Sequence, residues 1–217
     1  MAFNRLATKL KQAVTDAEKT QIDPALKENL RQFDETSTFG DKIQAAAREA
    51  LPSVGGMSKT TKTEALGALI KQAAAKYGTE KPEAAGLLQA GEICMSVGKA
   101  ERVLLQKVEA ESYALLKETH NFNETLKKEK KNLENAATDM DGAKMKLKGN
   151  AKPDLQAKAD EATRKFEEQK ATVEEMVAKI SEHRDKQRQA AKALLEALKE
   201  FHQRAAADIE SHISKIG

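Results

Sequence analysis

The sequence predicts an all-α protein made of long coiled-coil helices, and three features carry that prediction. Charged residues make up 33% of the 217 positions, apolar residues only 40%, and aromatic residues 4% with no Trp. A thick globular core draws on more large side chains than this. Only 4 Pro and 11 Gly interrupt the chain, so the high charge reads as helix surface rather than disorder. Apolar residues also recur at alternating steps of three and four over long stretches, the spacing of one helical face.

Residues 1–22 carry Phe3, Leu6, Leu10 and Val14 on one such face, flanked by Arg5, Lys9 and Lys11. A short helix with an apolar stripe and basic flanks suits the plane of a membrane interface. The same stripe also suits packing on the protein itself, and both readings stay open at this point. Asp23-Pro24 is a helix start, a capping side chain followed by proline in the first turn. Helix 1 is predicted over about 24–51, with Leu26, Leu30, Phe33, Ile43, Ala47 and Leu51 as its stripe, interrupted by Ser37 and Gly40. Pro52 ends it. A Gly- and Pro-rich loop and a short helix with Leu66, Leu69, Ile70, Ala73 and Tyr77 occupy 52–81.

Helix 2 is predicted over about 82–148. Its second half sets Thr119, Phe122, Leu126, Glu129, Leu133, Ala136, Met140, Ala143 and Leu147 on a heptad seam with polar interruptions. Gly149, Asn150 and Pro153 break the chain. Helix 3 follows over about 154–216, with Leu155, Ala159, Ala162, Phe166, Val173, Ile180, Leu194, Leu198 and Phe201 on its seam. Helices of that length reach roughly 90–100 Å at 1.5 Å per residue, and a short turn between them makes them antiparallel. Bends in them would need a cause such as Pro or Gly, and helix 3 has neither after Asp154. The middle of helix 2 is more apolar than one seam needs, with Val103, Leu104, Leu105 and Val108 close together. Leu194 and Leu195 of helix 3 add to the excess, which implies a second copy of the chain, with Leu198 and Phe201 also at the contact.

Several function classes fall away. No apolar run approaches the roughly 18 residues of a membrane span, and no secretory signal opens the chain. A lone Cys94 suits a reducing, cytoplasmic compartment. The stretch Gly91–Lys99 imitates a phosphate loop but lacks the glycine frame, the Ser/Thr after Lys and a preceding strand. No Glu stands three residues before His120, His183, His202 or His212, so the helical di-metal pattern is missing. No enzyme activity, cofactor or metal is expected.

The charge pattern is more informative than the net charge of +3. Lys127, Lys128, Lys130 and Lys131 form one group, and Lys144, Lys146, Lys148 and Lys152 a second without an intervening acid. Lys158, Arg164 and Lys165 return on the next helix. Three groups thus converge on the helix 2–helix 3 turn. At an anionic bilayer each such cation contributes about 1 kcal/mol. Nucleic acid is not the expected polyanion, because aromatic stacking residues and DNA-reading motifs are missing.

These residues together resemble an N-BAR domain of the endophilin type. Ala17-Glu18-Lys19-Thr20-Gln21-Ile22-Asp23 is similar to the junction that opens helix 1 in that family. Leu87-Leu88 with Gly91-Glu92, Asp139-Met140-Asp141 before the basic turn, Lys165-Phe166-Glu167, and Glu200-Phe201-His202-Gln203-Arg204-Ala205 are similar to its later motifs in order. The resemblance implies three long kinked antiparallel helices and a crescent-shaped homodimer with a six-helix central bundle, in which Leu26, Leu30 and Phe33 of helix 1 and Leu104 of helix 2 also meet the second copy. It implies that residues 1–22 insert Phe3, Leu6, Leu10 and Val14 into the bilayer. The concave face and the tips would hold anionic phospholipid through Arg5, Lys9, Lys11 and the three basic groups. The family's mid-helix appendage corresponds to a shortened Pro52–Thr63, with Val54 and Met57 as its large apolar residues. A cytoplasmic, membrane-peripheral protein of endocytic or vesicle traffic is the function implied, with trafficking proteins as unidentified further partners. The rival reading is a dimeric coiled-coil scaffold or cytoskeletal adaptor with no membrane-bending activity.

Overall fold

The computed structural model describes residues 20–50, 60–78 and 81–214. Every regular element among them is helical: α1 (Pro24–Ala50), α2 (Lys62–Tyr77), α3 (Pro82–Lys107), a π-helical turn (Val108–Tyr113), α4 (Ala114–Gly149), α5 (Pro153–Ala178) and α6 (Ile180–Ile213). The segment bearing Phe3, Arg5, Leu6, Lys9, Leu10, Lys11 and Val14 lies outside the described residues, as do Val54 and Met57. The helices form two compact units, one of residues up to Gly40 with Thr119–Asp185, the other of Asp41–Glu118 with residues from Lys186 on.

Unit 1 packs the first part of α1 on the antiparallel pair of α4 and α5. Leu126, Leu133 and Met140 recur every seven residues on α4 and are at most 3% exposed, and Ala159, Phe166 and Val173 do the same on α5 at 4% or less. Leu26, Leu30 and Phe33 of α1 complete this core. The stripe of α1 then runs on through buried Ser37 and Gly40. The Ser37 carbonyl has a partner there, accepting from Asn123 Nδ2 at 3.0 Å. The two residues that interrupt the apolar pattern are therefore core positions. Ile43 of the same predicted stripe is 47% exposed.

Asp23 caps α1, its Oδ1 accepting from the Ala25 amide at 2.8 Å and the Leu26 amide at 3.1 Å. One turn earlier, Asp141 of α4 accepts from the Thr20 amide at 3.0 Å, and from the Thr20 hydroxyl as well. The approach to α1 is thus tied to α4 before the helix begins.

Unit 2 contains a hairpin of α2 on α3 together with α6 running antiparallel to α3. Ser96 donates to Asp208 at 2.6 Å, and Lys107 to both oxygens of Glu200 at 2.8 Å. Its core is Leu104, Leu105, Val108, Tyr113 and Leu116 against Ala190 and Ala197. The hairpin is made by missing side chains. A Cβ on Gly67 would lie 2.7 Å from the Gly91 carbonyl oxygen, and one on Gly98 would lie 2.7 Å from the Glu64 amide nitrogen. Gly91 and Gly98, the glycines of the false phosphate loop, are thus the positions where α2 closes on α3.

The long helices are interrupted where no Pro or Gly stands. Val108 and Tyr113 are both buried, yet five residues apart they would lie about 140° apart on an α-helix. The i→i+5 turn between them draws both toward the core and resets the seam. Lys179 ends α5, its amide bonded to the Met176 carbonyl at 3.0 Å, and Ile180 starts α6. Helix 2 and helix 3 of the sequence reading are therefore each two helices in succession, and Pro and Gly were the wrong markers to search for.

Candidate functional site

The turn between α4 and α5 is set by local chemistry. Gly149 ends α4, the Lys152 amide donates to the Asn150 carbonyl at 2.9 Å, and Pro153 opens α5 behind Lys152. Lys146 and Lys148 stand in the last turn of α4, where cations are favoured by the exposed carbonyls. Lys144, Lys146, Lys148 and Lys152 are all exposed. Asp154 follows in the first turn of α5, where a carboxylate is favoured for the converse reason.

The other two basic groups are different. Lys127 pairs with Glu124 at 2.8 Å, and Lys130 pairs with Asp34 of α1. Arg164 holds Glu161 at 2.8 Å and also Glu168, while Lys165 reaches Glu161 at 3.2 Å. Hydrogen bonds from Arg164 first and Lys165 second hold the Glu161 carboxyl down at about 2. Lys128, Lys131 and Lys158 are exposed. Lys144, Lys146 and Lys152 have no ion pair among the described residues. The three predicted groups thus do not contribute equally. Lys144, Lys146 and Lys152 present the least compensated charge, while Lys127, Lys130, Arg164 and Lys165 already face carboxylates.

The residues expected at a dimer contact divide in the same way. Leu26, Leu30, Phe33 and Leu104 are at most 5% exposed within the single chain. They build its two cores, and their burial is complete within the single chain. Leu194, Leu198 and Phe201 are half-buried beside Leu104, and Val103 is 51% exposed. The exposed apolar surface lies on α2 and α6, and the α2 part is the one sequence reasoning missed. Leu195 is 66% exposed, and α2 turns Leu66, Leu69 and Tyr77 outward. Among the described residues, eight of the nine exposed large apolar side chains belong to unit 2. Phe39, the ninth, stands next to the boundary. The stripe on α2 was legible, but its packing face was not. That face is Glu64, Gly67 and Ala74.

Glu64 is a carboxylate sunk into that hairpin, 3% exposed. It accepts from the Thr61 amide at 2.7 Å and from Arg102 of α3, and its own amide donates to the Thr61 hydroxyl at 3.1 Å. Burial acts to raise its pKa, but the Thr61 hydrogen bond and the Arg102 guanidinium outweigh it and leave the carboxyl below its ordinary range. This is a helix cap that also docks the helix, not a catalytic acid. Among the described residues no group of His, Cys, Asp and Glu has the arrangement of a metal site, and no helix is long and apolar enough to cross a membrane.

An all-helical protein with antiparallel seams, a basic turn and an apolar flank belongs to the class of helical scaffolds. Residues 1–214 match the BAR domain family, and the chain belongs to that family. No curated protein matches the chain. BAR domains bind and sense curved membranes, dimerise, and as a rule act as scaffolds rather than as enzymes.

Proposed function

We propose that this protein is an N-BAR domain of the endophilin type, which binds anionic membrane as a homodimer and senses or generates its curvature. The observation that carries the reading is the exposed quartet Lys144, Lys146, Lys148 and Lys152, a nine-residue stretch of sequence with four cations and no acid. At an anionic leaflet these charges are worth about 1 kcal/mol each. Lys158, Lys128 and Lys131 add to them, and Lys127, Lys130, Arg164 and Lys165 exchange carboxylate partners for lipid at small cost because their ion pairs are solvated. The N-terminal stripe Phe3, Leu6, Leu10 and Val14, with Arg5, Lys9 and Lys11, forms the wedge in this reading. Val103, Leu194, Leu195, Leu198 and Phe201 form the contact with the second copy. The setting is the cytoplasmic face of a membrane in endocytic or vesicle traffic, with trafficking proteins as further partners.

Electron microscopy of phosphatidylserine-rich liposomes mixed with the purified chain tests the reading. Narrow tubules or small vesicles are expected, with binding that falls as ionic strength rises. Round liposomes and unbound protein would overturn it in favour of a scaffold that binds proteins alone.

A further inference from the structure

The core of unit 1 changes character at one end. The buried heptad of α4 that runs back from Met140 through Leu133 and Leu126 arrives at Thr119, and the stripe of α1 passes from Phe33 to Ser37. Asn123 and His183 join them, so four polar side chains, none more than 9% exposed, stand where leucine and phenylalanine would be expected. Adjacent residues of α4 hold the two neighbouring helices there. Asn123 Nδ2 donates to the Ser37 carbonyl of α1 at 3.0 Å. Phe122 stacks on the His183 ring near the start of α6, with centroids 3.7 Å apart and planes 13° from parallel. Arg184 then ties α6 to α1, donating to the Thr36 hydroxyl at 3.3 Å. Of the four buried polar side chains, His183 alone titrates near neutral pH.

We propose that His183 is an acid-sensitive latch: neutral, it stacks on Phe122 and closes this layer, and protonated, it loosens α6 and α1 from α4. An imidazolium taken out of water loses hydration that a buried countercharge would have to replace. Among the described residues the buried carboxylates are Glu64, in the hairpin of unit 2, and Asp141, which holds Thr20. Asp141 stands 18 residues beyond Asn123 on α4, about 27 Å along the helix. The charges that flank the layer are already engaged or open to water. Lys179 holds Glu175 of α5, Lys186 holds Glu118 of α4, and Lys130 holds Asp34 of α1. Glu182, Arg184, Asp185, His120 and Asp41 are all at least partly exposed. The face of Phe122 attracts a cation, but a ring stacked flat against it leaves that cation no water on the same side. Folding therefore favours the neutral ring. The contribution of the layer is complete above the ordinary histidine value of about 6.5, and it is lost as pH falls through a lower folded value. The latch stands on the geometry of unit 1 and does not depend on membrane binding.

Chemical denaturation of the full chain between pH 8 and pH 5.5, beside the variant His183→Phe, tests the latch. Phenylalanine keeps an aromatic ring against Phe122 and takes no proton. Acid loss at Glu64 and other carboxylates is common to both proteins and cancels in the difference. Over that range the unfolding constant of the wild type should rise about three- to tenfold relative to the variant. A smaller relative change would overturn the proposal. Hydrogen exchange, corrected for its intrinsic pH dependence, should quicken over residues 33–40 and 119–126 in the wild type alone, and equal quickening in both proteins would count against the latch. Should His183→Phe fail to fold, the ring resonances of His183 in the wild type decide the matter. A titration midpoint below about 6 supports the latch, and any higher value rules it out.

Discussion

Thr20 and Asp141 are 121 positions apart in the chain, yet the Thr20 amide donates to Asp141 Oδ1 at 3.0 Å and to Oδ2 at 3.2 Å. The contact joins the junction before α1 to the residue on α4 just ahead of the basic turn.

Asp141→Ala should remove that tether and leave the Thr20 hydroxyl without its acceptor. Because Asp141 is buried and charged, a loss of about 1.5–3 kcal/mol in urea unfolding is expected. The loss should come with faster hydrogen exchange at the Thr20 amide. Unchanged exchange there would show that the start of α1 is held by its apolar contacts alone.

The hairpin of α2 on α3 should be unusually intolerant of methyl groups. Gly98→Ala places its Cβ 2.7 Å from the Glu64 amide nitrogen and 2.8 Å from the Thr61 hydroxyl. Backbone has to move, at a cost of about 1–3 kcal/mol, read as lost exchange protection across α2. Gly149→Ala, which meets nothing within 4 Å, should be neutral within about 0.5 kcal/mol.

Glu64 makes the hairpin acid-sensitive. Its carboxyl is held below its ordinary value of 4.5 despite burial, so the folded state favours the ionised form. Its contribution is present in full above that ordinary value and is lost as pH falls through the lower folded value. Glu64→Gln should accordingly cost about 2 kcal/mol at pH 7. The gap between wild type and variant, followed by chemical denaturation, should close only in strongly acidic buffer. A gap that vanished already at pH 6 would assign the effect to another group.

Surface and core leucines should part company in oligomer measurements. Val103→Asp with Leu195→Asp alters two exposed positions and should shift the chain from dimer to monomer in sedimentation, with helix content kept. Leu30→Asp, 4% exposed in the wild type, should unfold unit 1 instead. A folded monomer from Leu30→Asp would reverse the assignment made here.

Neutralising the tip quartet should weaken binding to phosphatidylserine vesicles most. Replacing Lys144, Lys146, Lys148 and Lys152 by Gln removes about 4 kcal/mol of attraction, two to three orders of magnitude in affinity. Replacing Lys127 and Lys130, which already pair with Glu124 and Asp34, should cost about tenfold or less. Equal losses would show that the tip holds no larger share of the attraction than the group on α4.

Helicity, the antiparallel turn at residues 150–152, the seams of α4 and α5 and the basic cluster were all legible in the amino-acid order. Each depends on spacing along one helix, and side chains three or four positions apart share a face whatever surrounds them. What surrounds them was decided by tertiary packing. Periodicity marks Leu66, Leu69 and Tyr77 as a face of α2 but cannot say that Gly67 and Ala74 turn inward instead, because close approach depends on Gly91 and Gly98 of the opposing helix. It marks Leu26, Leu30 and Phe33 as buried without saying by which chain. Nor does it place the π-turn at Val108–Tyr113 or the break at Lys179, where two seams must be brought into register and no residue type announces the adjustment. Local order determined the helices and their faces. Contacts between residues far apart in sequence determined which face each helix spends on its own chain and which it leaves exposed.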